Sequence, residues 1–227
     1  MLVAWNLTQI GLWILYILIP LIIIYIIYLM LTKAFNYMGF TSLEAIIIVF
    51  VSFLFSYEIH ILGINISNIY LFSSDNWRVG INLGGAIIPI LLSIYLIFKK
   101  KIPLKYIALG TLVVTIIAYL VSHPEPDKGI VASFPFWLLP AFFASIASVI
   151  LLRKNFKKAA PLAYISGTIG VLIGADFLRI SQLLSYSVDK VTPAIIGGAV
   201  VFDMIFITGI IAVLLDGAIM FRQSSKA

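Results

Sequence analysis

Long runs of apolar residues are the feature that most constrains this chain. Seven such segments follow one another, and we interpret each as long enough to cross a bilayer core of about 30 Å as a helix, the second being the shortest. Charged residues make up only 11% of the chain and the mean hydropathy is +1.16, which leaves too few charges to cover a soluble domain. The segments are Leu7 to Thr32, Ser42 to Tyr57, Val79 to Phe98, Leu104 to Val121, Phe134 to Leu152, Ala159 to Tyr186 and Thr192 to Leu215.

These segments predict an all-α, polytopic membrane helix bundle with about seven transmembrane helices. Residues 1–227 are expected to form a single integral-membrane domain, because no polar stretch approaches the length of a soluble module. The stretch after the second segment, "EIHILGINISNIYLF" (residues 58–72), is ambiguous. It could extend the helix, or it could fold back as an interfacial or re-entrant piece.

The basic residues predict the orientation of the bundle. "KKKIPLK" (residues 99–105) separates the third and fourth segments, and "RKNFKK" (residues 153–158) separates the fifth and sixth. Basic residues near helix ends favour the cytoplasmic side, so we expect the N-terminus outside and the C-terminus inside a cell membrane. The net charge of +6 is compatible with nucleic-acid binding, but the location of the same clusters at helix ends favours membrane lipids as partners.

Two aspartates interrupt the last two apolar segments. Asp176 lies 13 residues before Asp189, and Asp203 lies 13 residues after Lys190. If both segments are helices of one antiparallel hairpin, the two aspartates lie at the same height. That height is about 15 Å from the outer boundary, close to the middle of the membrane.

Aspartates at that depth indicate a functional site. Each ionised aspartate there costs about 2.5–3.5 kcal/mol on insertion scales, so such residues usually face the interior of the bundle or a wet cavity. Two neighbouring carboxylates cannot both ionise easily, so one keeps a proton while the other stays charged. Such a pair can act as general acid and general base on a water molecule, which makes Asp176 and Asp203 candidate catalytic residues. No cofactor or metal is implied, and the absence of cysteine excludes thiol chemistry.

Other interpretations of the two aspartates remain open. They could bind a proton or a cation in a transporter or channel, or they could join helices in a non-catalytic scaffold. Arg179 lies three residues after Asp176, so it could form an ion pair with that carboxylate or extend toward the headgroups. The partner would accordingly be a transmembrane peptide substrate, or a small cation or proton.

Four more features favour structural roles. Gly167, Gly170 and Gly174 share a helix face and predict close helix packing. Asp216 is interpreted as a boundary charge near the end of the last helix. Glu44 is interpreted in the same way, at the start of the second. Glu58 and His60 are expected to form a solvated, interfacial pair.

The stretch "FDMIFITGIIAVLL" resembles the region after the second catalytic aspartate in signal peptide peptidases and their archaeal presenilin-type relatives. In those intramembrane aspartyl proteases an aspartate begins a similar apolar run with a glycine six residues on, as Asp203 and Gly209 stand here. The resemblance implies a catalytic pair on the sixth and seventh helices. The chain departs from the family motifs at Ala175, Val200 and Phe202.

A second resemblance covers nearly the full length. "INLGGAIIPILLSIYLI", "IGVLIGAD" and "GGAVVFDMIFITGIIAVLL" look like the signature segments of an uncharacterised family of archaeal and bacterial membrane proteins of unknown function. This resemblance implies a multi-pass membrane protein and names no reaction.

Overall fold

The computed structural model describes residues 7–126, 128–152, 155–198 and 204–224 as a bundle of helices with short strands at one end. The helices are α1 (Leu7–Met38), α2 (Ser42–Ser56), α3 (Ile88–Lys100), α4 (Leu104–Val121), α5 (Leu139–Leu151), α6 (Phe156–Val171), α7 (Leu178–Leu184) and α8 (Met204–Ser224).

The predicted helical bundle is confirmed, whereas the number of membrane crossings stays a prediction. Four helical stretches of the described residues are long and apolar enough to cross a membrane, and three apolar helices are shorter. The four long stretches are Gly11–Met38, Leu83–Lys100, Leu104–Val121 and Phe156–Leu184. The three shorter ones are Ser42–Ser56, Phe136–Leu151 and Met204–Ile219.

The all-α prediction is wrong in one respect, since the described residues also form seven short strands. Strand β4 pairs antiparallel with β3 and parallel with β7, and two separate hairpins join β1 with β2 and β5 with β6. The strands are β1 (His60–Ile61), β2 (Ile64–Asn65), β3 (Asn68–Ser74), β4 (Trp77–Asn82), β5 (Ser122–Glu125), β6 (Gly129–Ala132) and β7 (Thr192–Ile196).

Two boundaries in the sequence interpretation therefore change, and one open alternative is excluded. Residues 58–74 form strands and turns, so they do not extend α2. The segments predicted to begin at Val79 and at Thr192 start as strands β4 and β7. An apolar run that is buried as a strand cannot be told from a buried helix by periodicity alone, so the sequence merged each strand with the helix that follows it.

The two ends of the bundle differ in character. All seven strands lie at one end, which we name the stranded end. The opposite end, which we name the basic end, carries the turn at residues 101–103 and the start of α6. These two segments meet there, since Lys158 Nζ donates a hydrogen bond to the carbonyl of Lys101 at 3.1 Å.

Helix α6 occupies the centre of the bundle, where every residue from Ala159 to Thr168 is buried. Gly170 and Gly174 face α4, so that an added Cβ at Gly170 would collide with Val114. Gly167 faces Thr208 and its neighbour on α8 instead. The glycines thus bring two different helices close to α6.

Two π-helical turns interrupt the helices at the stranded end. The first, Leu83–Ile87, leads into α3, and the second, Leu172–Phe177, separates α6 from α7. Asn82 caps the first turn by accepting a hydrogen bond from the Gly85 N–H at 2.7 Å. Such turns frequently occur at functional sites.

Several helix ends come together at the stranded end. The Asn82 side chain before the first π-helical turn donates to the carbonyl of Ser56, the last residue of α2, at 3.4 Å. Ser122 follows the end of α4, and Met204 begins α8. Both residues line one cavity with Asp176. The mid-membrane depth predicted for the two aspartates rested on a helix that begins at Thr192. Residues Thr192–Ile196 form strand β7, so that assumption is wrong.

Candidate functional site

Asp176 lies in the second π-helical turn, and its carboxylate is bound by the chain that leads toward α8. The Gly197 N–H donates a hydrogen bond to Asp176 Oδ2 at 2.8 Å. Gly197 follows β7 directly and has a φ of 85°, which an L side chain rarely adopts. The turn after β7 therefore positions a backbone donor at the carboxylate.

Asp176 is partly buried and lines two cavities at the stranded end. The larger cavity, of about 360 Å³, lies between the residues of β7 and the Lys128–Ile130 segment. The smaller cavity, of about 290 Å³, is lined by Met204, Ile205 and Ser122 together with Asp176. Both volumes are large enough for several water molecules.

The second predicted catalytic residue, Asp203, lies outside the described residues. Met204, which follows Asp203 in the chain, lines the same cavity as Asp176. Gly197, which precedes Asp203 by six residues, contacts the Asp176 carboxylate. The described residues on both sides of Asp203 are therefore neighbours of Asp176.

Arg179 does not pair with Asp176; it joins α7 to the end of α4. Its guanidinium lies 3.7 Å from the centre of the Tyr119 ring, and Nη2 donates to the Tyr119 carbonyl at 2.6 Å. Nη1 donates to Gln182 Oε1 at 2.6 Å. Across the described ranges, the ion pairs join Glu125 with His123 and with Lys128.

Among the described residues, strand β7 forms one edge of its sheet, next to the larger cavity. The Thr192 N–H donates to the carbonyl of Asn76, so Thr192 directs its backbone toward β4. Backbone groups alternate in direction along a strand. Residues 193, 195 and 197 therefore direct theirs to the free edge, and Gly197 does so by binding Asp176. Pro193 has no N–H. Because its backbone faces the free edge, the missing donor removes no hydrogen bond to β4.

Lys128, which lines the larger cavity, forms a charged pair with Glu125. Lys128 Nζ donates to Glu125 Oε2 at 2.8 Å across the β5–β6 turn. His123 Nε2 lies 3.2 Å from the other carboxylate oxygen. The Lys128 hydrogen bond holds the pKa of Glu125 below its ordinary value, and the His123 contact adds to this effect.

The sequence interpretation missed a second carboxylate site. Asp216 is fully buried rather than a boundary charge. Its two carboxylate oxygens accept hydrogen bonds from Ser145 Oγ and Ser148 Oγ of α5, each at 2.6 Å. Two serines one turn apart in an otherwise apolar helix were the signal for a polar partner on a neighbouring helix.

The remaining singled-out residues lie away from Asp176. Glu58 accepts a hydrogen bond from the Asn68 side chain at 3.4 Å, and His60 lies in β1. Both residues line a groove over the open face of the β3–β4–β7 sheet. Within the described part of the chain, no three His, Asp or Glu side chains lie close enough to hold a metal ion.

One comparison with known proteins identifies relatives of the chain. Residues 67–215 match the family described as "Protein of unknown function (DUF1614)". No curated protein and no solved structure matches. The match takes in both π-helical turns, strand β7 and both aspartates, and it spans well over half of the chain. The chain therefore belongs to the DUF1614 family of proteins of unknown function.

Proposed function

We propose that this protein is an intramembrane aspartyl protease-like hydrolase, with Asp176 and Asp203 as its catalytic pair. The observation that carries the proposal is the Gly197–Asp176 hydrogen bond, because it draws the chain before Asp203 to the Asp176 carboxylate. Met204 in the Asp176 cavity supports the same arrangement from the other side. The likeness of residues 202–215 to signal peptide peptidases agrees with this chemistry.

The proposed reaction needs only the two carboxyl groups and water. The charged carboxylate accepts a proton from water as the water oxygen bonds to the peptide carbonyl carbon. The protonated carboxyl group donates its proton to the carbonyl oxygen. The carboxyl group that took the proton from water then donates it to the amide nitrogen, while the other carboxylate takes a proton back from the tetrahedral intermediate. The C–N bond breaks, and the products are a carboxylic acid and an amine. The Gly197 N–H stabilises the charged form of Asp176.

The free edge of β7 supports a peptide as the substrate. The Pro193 carbonyl and the Ile195 N–H face this edge, and an extended peptide could add there as a further strand. Gly197 is the next residue whose backbone faces this edge, and its N–H binds Asp176. A peptide paired with Pro193 and Ile195 would thus place its next peptide bond about 7 Å further along, beside Asp176.

A cleavage assay in liposomes tests the catalytic pair. The substrates are a library of single-span peptides, each with a fluorophore and a quencher on opposite sides of the helix. We expect cleavage by the wild-type protein and at least about a hundred-fold loss in both Asp176→Asn and Asp203→Asn. Asp189→Asn, which changes an exposed aspartate, is the matched control and should cleave normally. An intact library with wild-type protein, or full activity in Asp176→Asn, contradicts the proposal.

Proline substitution tests the role of the strand edge. Ile195→Pro removes an N–H from the free edge and leaves the bonds to β4 in place, so it should weaken peptide binding without unfolding the protein. Ala194→Pro is the contrasting variant, because the Ala194 N–H faces β4 and its loss should lower thermal stability. Undiminished peptide binding by Ile195→Pro would exclude strand addition at β7.

We also propose seven crossings of a cell membrane with the stranded end outside. The basic loops at the opposite end support this orientation. The cysteine-free chain permits single-cysteine labelling from outside intact cells. A cysteine at Ser187 should react with an impermeant maleimide, whereas one at Lys105 should react only after the membrane is opened. The reverse pattern would invert the topology.

Buried hydroxyl groups favour a second candidate function, the passage of protons or small cations through the bundle. Tyr164, Thr168 and Thr208 are fully buried between α6 and α8, on the basic-end side of Asp176. Hydroxyl groups can relay protons between carboxylates. Liposomes that contain the wild-type protein should acidify under a pH gradient, and Thr208→Val and Asp176→Asn should each abolish this proton flux. Equal flux in protein-free liposomes would exclude this candidate.

A further inference from the structure

The stranded end exposes an apolar surface that no helix or other strand of the described residues covers. Its members are large apolar side chains of strands β1, β2 and β3 and of the turn between β1 and β2. We name this set the strand patch: Ile61, Leu62, Ile64, Ile69, Leu71 and Phe72. Leu62, at the tip of the β1–β2 hairpin, is 98% exposed, and each other member is at least 46% exposed.

We propose that the strand patch is a lipid-binding surface that lies in the headgroup–acyl boundary of the bilayer at the stranded end. The patch follows the exposed apolar end of α2 directly in the chain, since Phe53, Leu54 and Tyr57 are each at least 42% exposed and β1 begins four residues after α2 ends. Helix α2 has 15 residues, about 22 Å, which is shorter than the roughly 30 Å hydrocarbon core. The hairpin that follows α2 therefore starts no further out than the outer edge of the hydrocarbon layer.

The exposure of β3 favours lipid over a protein partner. Successive side chains of a regularly paired strand point to opposite faces, and Ile69 and Tyr70, which pair with consecutive residues of β4, are both exposed. A protein partner docked on the sheet covers one face, whereas lipid surrounds the strand on both. A long apolar edge strand left in water would be a site of aggregation.

The free edge of β3 sets the depth of insertion. Strand β3 ends its sheet within the described residues, so a row of its backbone groups has no neighbouring strand. These groups would be costly in hydrocarbon but can bind water and headgroups at the boundary. Arg78 lies 5.7 Å from the Tyr70 ring, and tyrosine and arginine at this level suit the interface.

Spin labels on single cysteines test the depth of the strand patch, because the chain has no cysteine of its own. Labels at Leu62→Cys and Leu71→Cys are compared in liposomes of phosphatidylcholine and phosphatidylglycerol. Collisions with dissolved oxygen report lipid, and collisions with a water-soluble nickel complex report solvent. Ser187→Cys, in the exposed loop before β7, is the aqueous control. Melting temperatures of the unlabelled variants verify that each one folds.

We expect the labels at positions 62 and 71 to show at least a three-fold higher ratio of oxygen to nickel collisions than the label at 187. Equal ratios at all three positions would overturn the proposal by placing the patch in water. Protection from both reagents would overturn it by showing a protein cover, and spin–spin broadening at position 62 would identify that cover as a second copy of the chain.

Discussion

The Gly197 N–H donates a hydrogen bond to Asp176 Oδ2 at 2.8 Å, across 21 residues of sequence. This bond ties the end of strand β7 to the π-helical turn between α6 and α7. Gly197 also packs against Ala86 of the first π-helical turn. One glycine therefore connects both irregular helical turns with the candidate catalytic carboxylate.

Gly197→Ala should be more destabilising than an ordinary glycine substitution. The φ of 85° disfavours any side chain, and a Cβ there would collide with Ala86. Gly63→Ala is the matched control, because Gly63 has a φ of 82° but nothing near its added Cβ. The control should cost about 1 kcal/mol, and Gly197→Ala about 2–4 kcal/mol, in thermal unfolding in detergent. An equal loss of unfolding free energy in the two variants would show that Ala86 shifts to make room for the added Cβ at position 197.

The Asp216 site should be sensitive to loss of its donors. The Ser145→Ala/Ser148→Ala double variant leaves a buried carboxylate without hydrogen bonds, so we expect a loss of about 3–5 kcal/mol in unfolding free energy. Ser166→Ala is the control, because Ser166 Oγ is buried without a hydrogen-bond partner among the described residues and its removal should cost little. A double variant as stable as Ser166→Ala would mean that Asp216 has another source of stabilisation.

Arg179 should couple to Tyr119 and not to Asp176. We expect Arg179→Met and Tyr119→Ala to show a coupling free energy of about 1–2 kcal/mol, because the guanidinium stacks on the ring. Arg179→Met and Asp176→Asn should add within about 0.5 kcal/mol. Double-mutant cycles of unfolding free energy measure both quantities. A strong coupling between Arg179 and Asp176 would instead support an ion pair between these two residues, which their three-residue spacing permits.

The Glu125 carboxyl group should titrate at a higher pH once Lys128 is removed. Lys128 lowers the pKa of Glu125, so the pair contributes to stability above the ordinary pKa and loses that contribution as the pH falls through the lowered one. Carbon-detected NMR titration should show the Glu125 pKa rising toward its ordinary value in Lys128→Met. His123→Ala should change it less. An unchanged pKa in Lys128→Met would exclude the lysine as the cause.

The helical part of the fold could be predicted from the sequence, whereas the strands could not. Long apolar runs define helices by length, and most predicted segments contain one. Strand β7 was missed because "TPAII" is apolar, buried in part and followed by another apolar run, so nothing in its composition separates it from the start of a helix. The parallel pairing of β7 with β4 joins residues more than a hundred positions apart, which no local pattern reveals.

The candidate site was also only partly predictable. Asp176 stood out because a carboxylate in an apolar segment is rare, but Gly197 carried no such signal. Asp216 looked like a boundary charge because the predicted segment ended at Leu215. Helix α8 continues to Ser224, so Asp216 lies well inside it. A carboxylate two turns from the true end of a helix can then be fully enclosed by a neighbouring helix.

The second π-helical turn gives the helix beyond it a different rotational phase. Such a turn is in effect one residue inserted into an α-helix, and one residue corresponds to about 100° of rotation. Deleting a single residue such as Ile173 would leave the Gly170 face against α4 but would turn α7 by about a quarter of a revolution. Arg179 would then point away from Tyr119, and the carboxylate of Asp176 away from Gly197. In this stretch the number of residues constrains the site as strictly as their identities do.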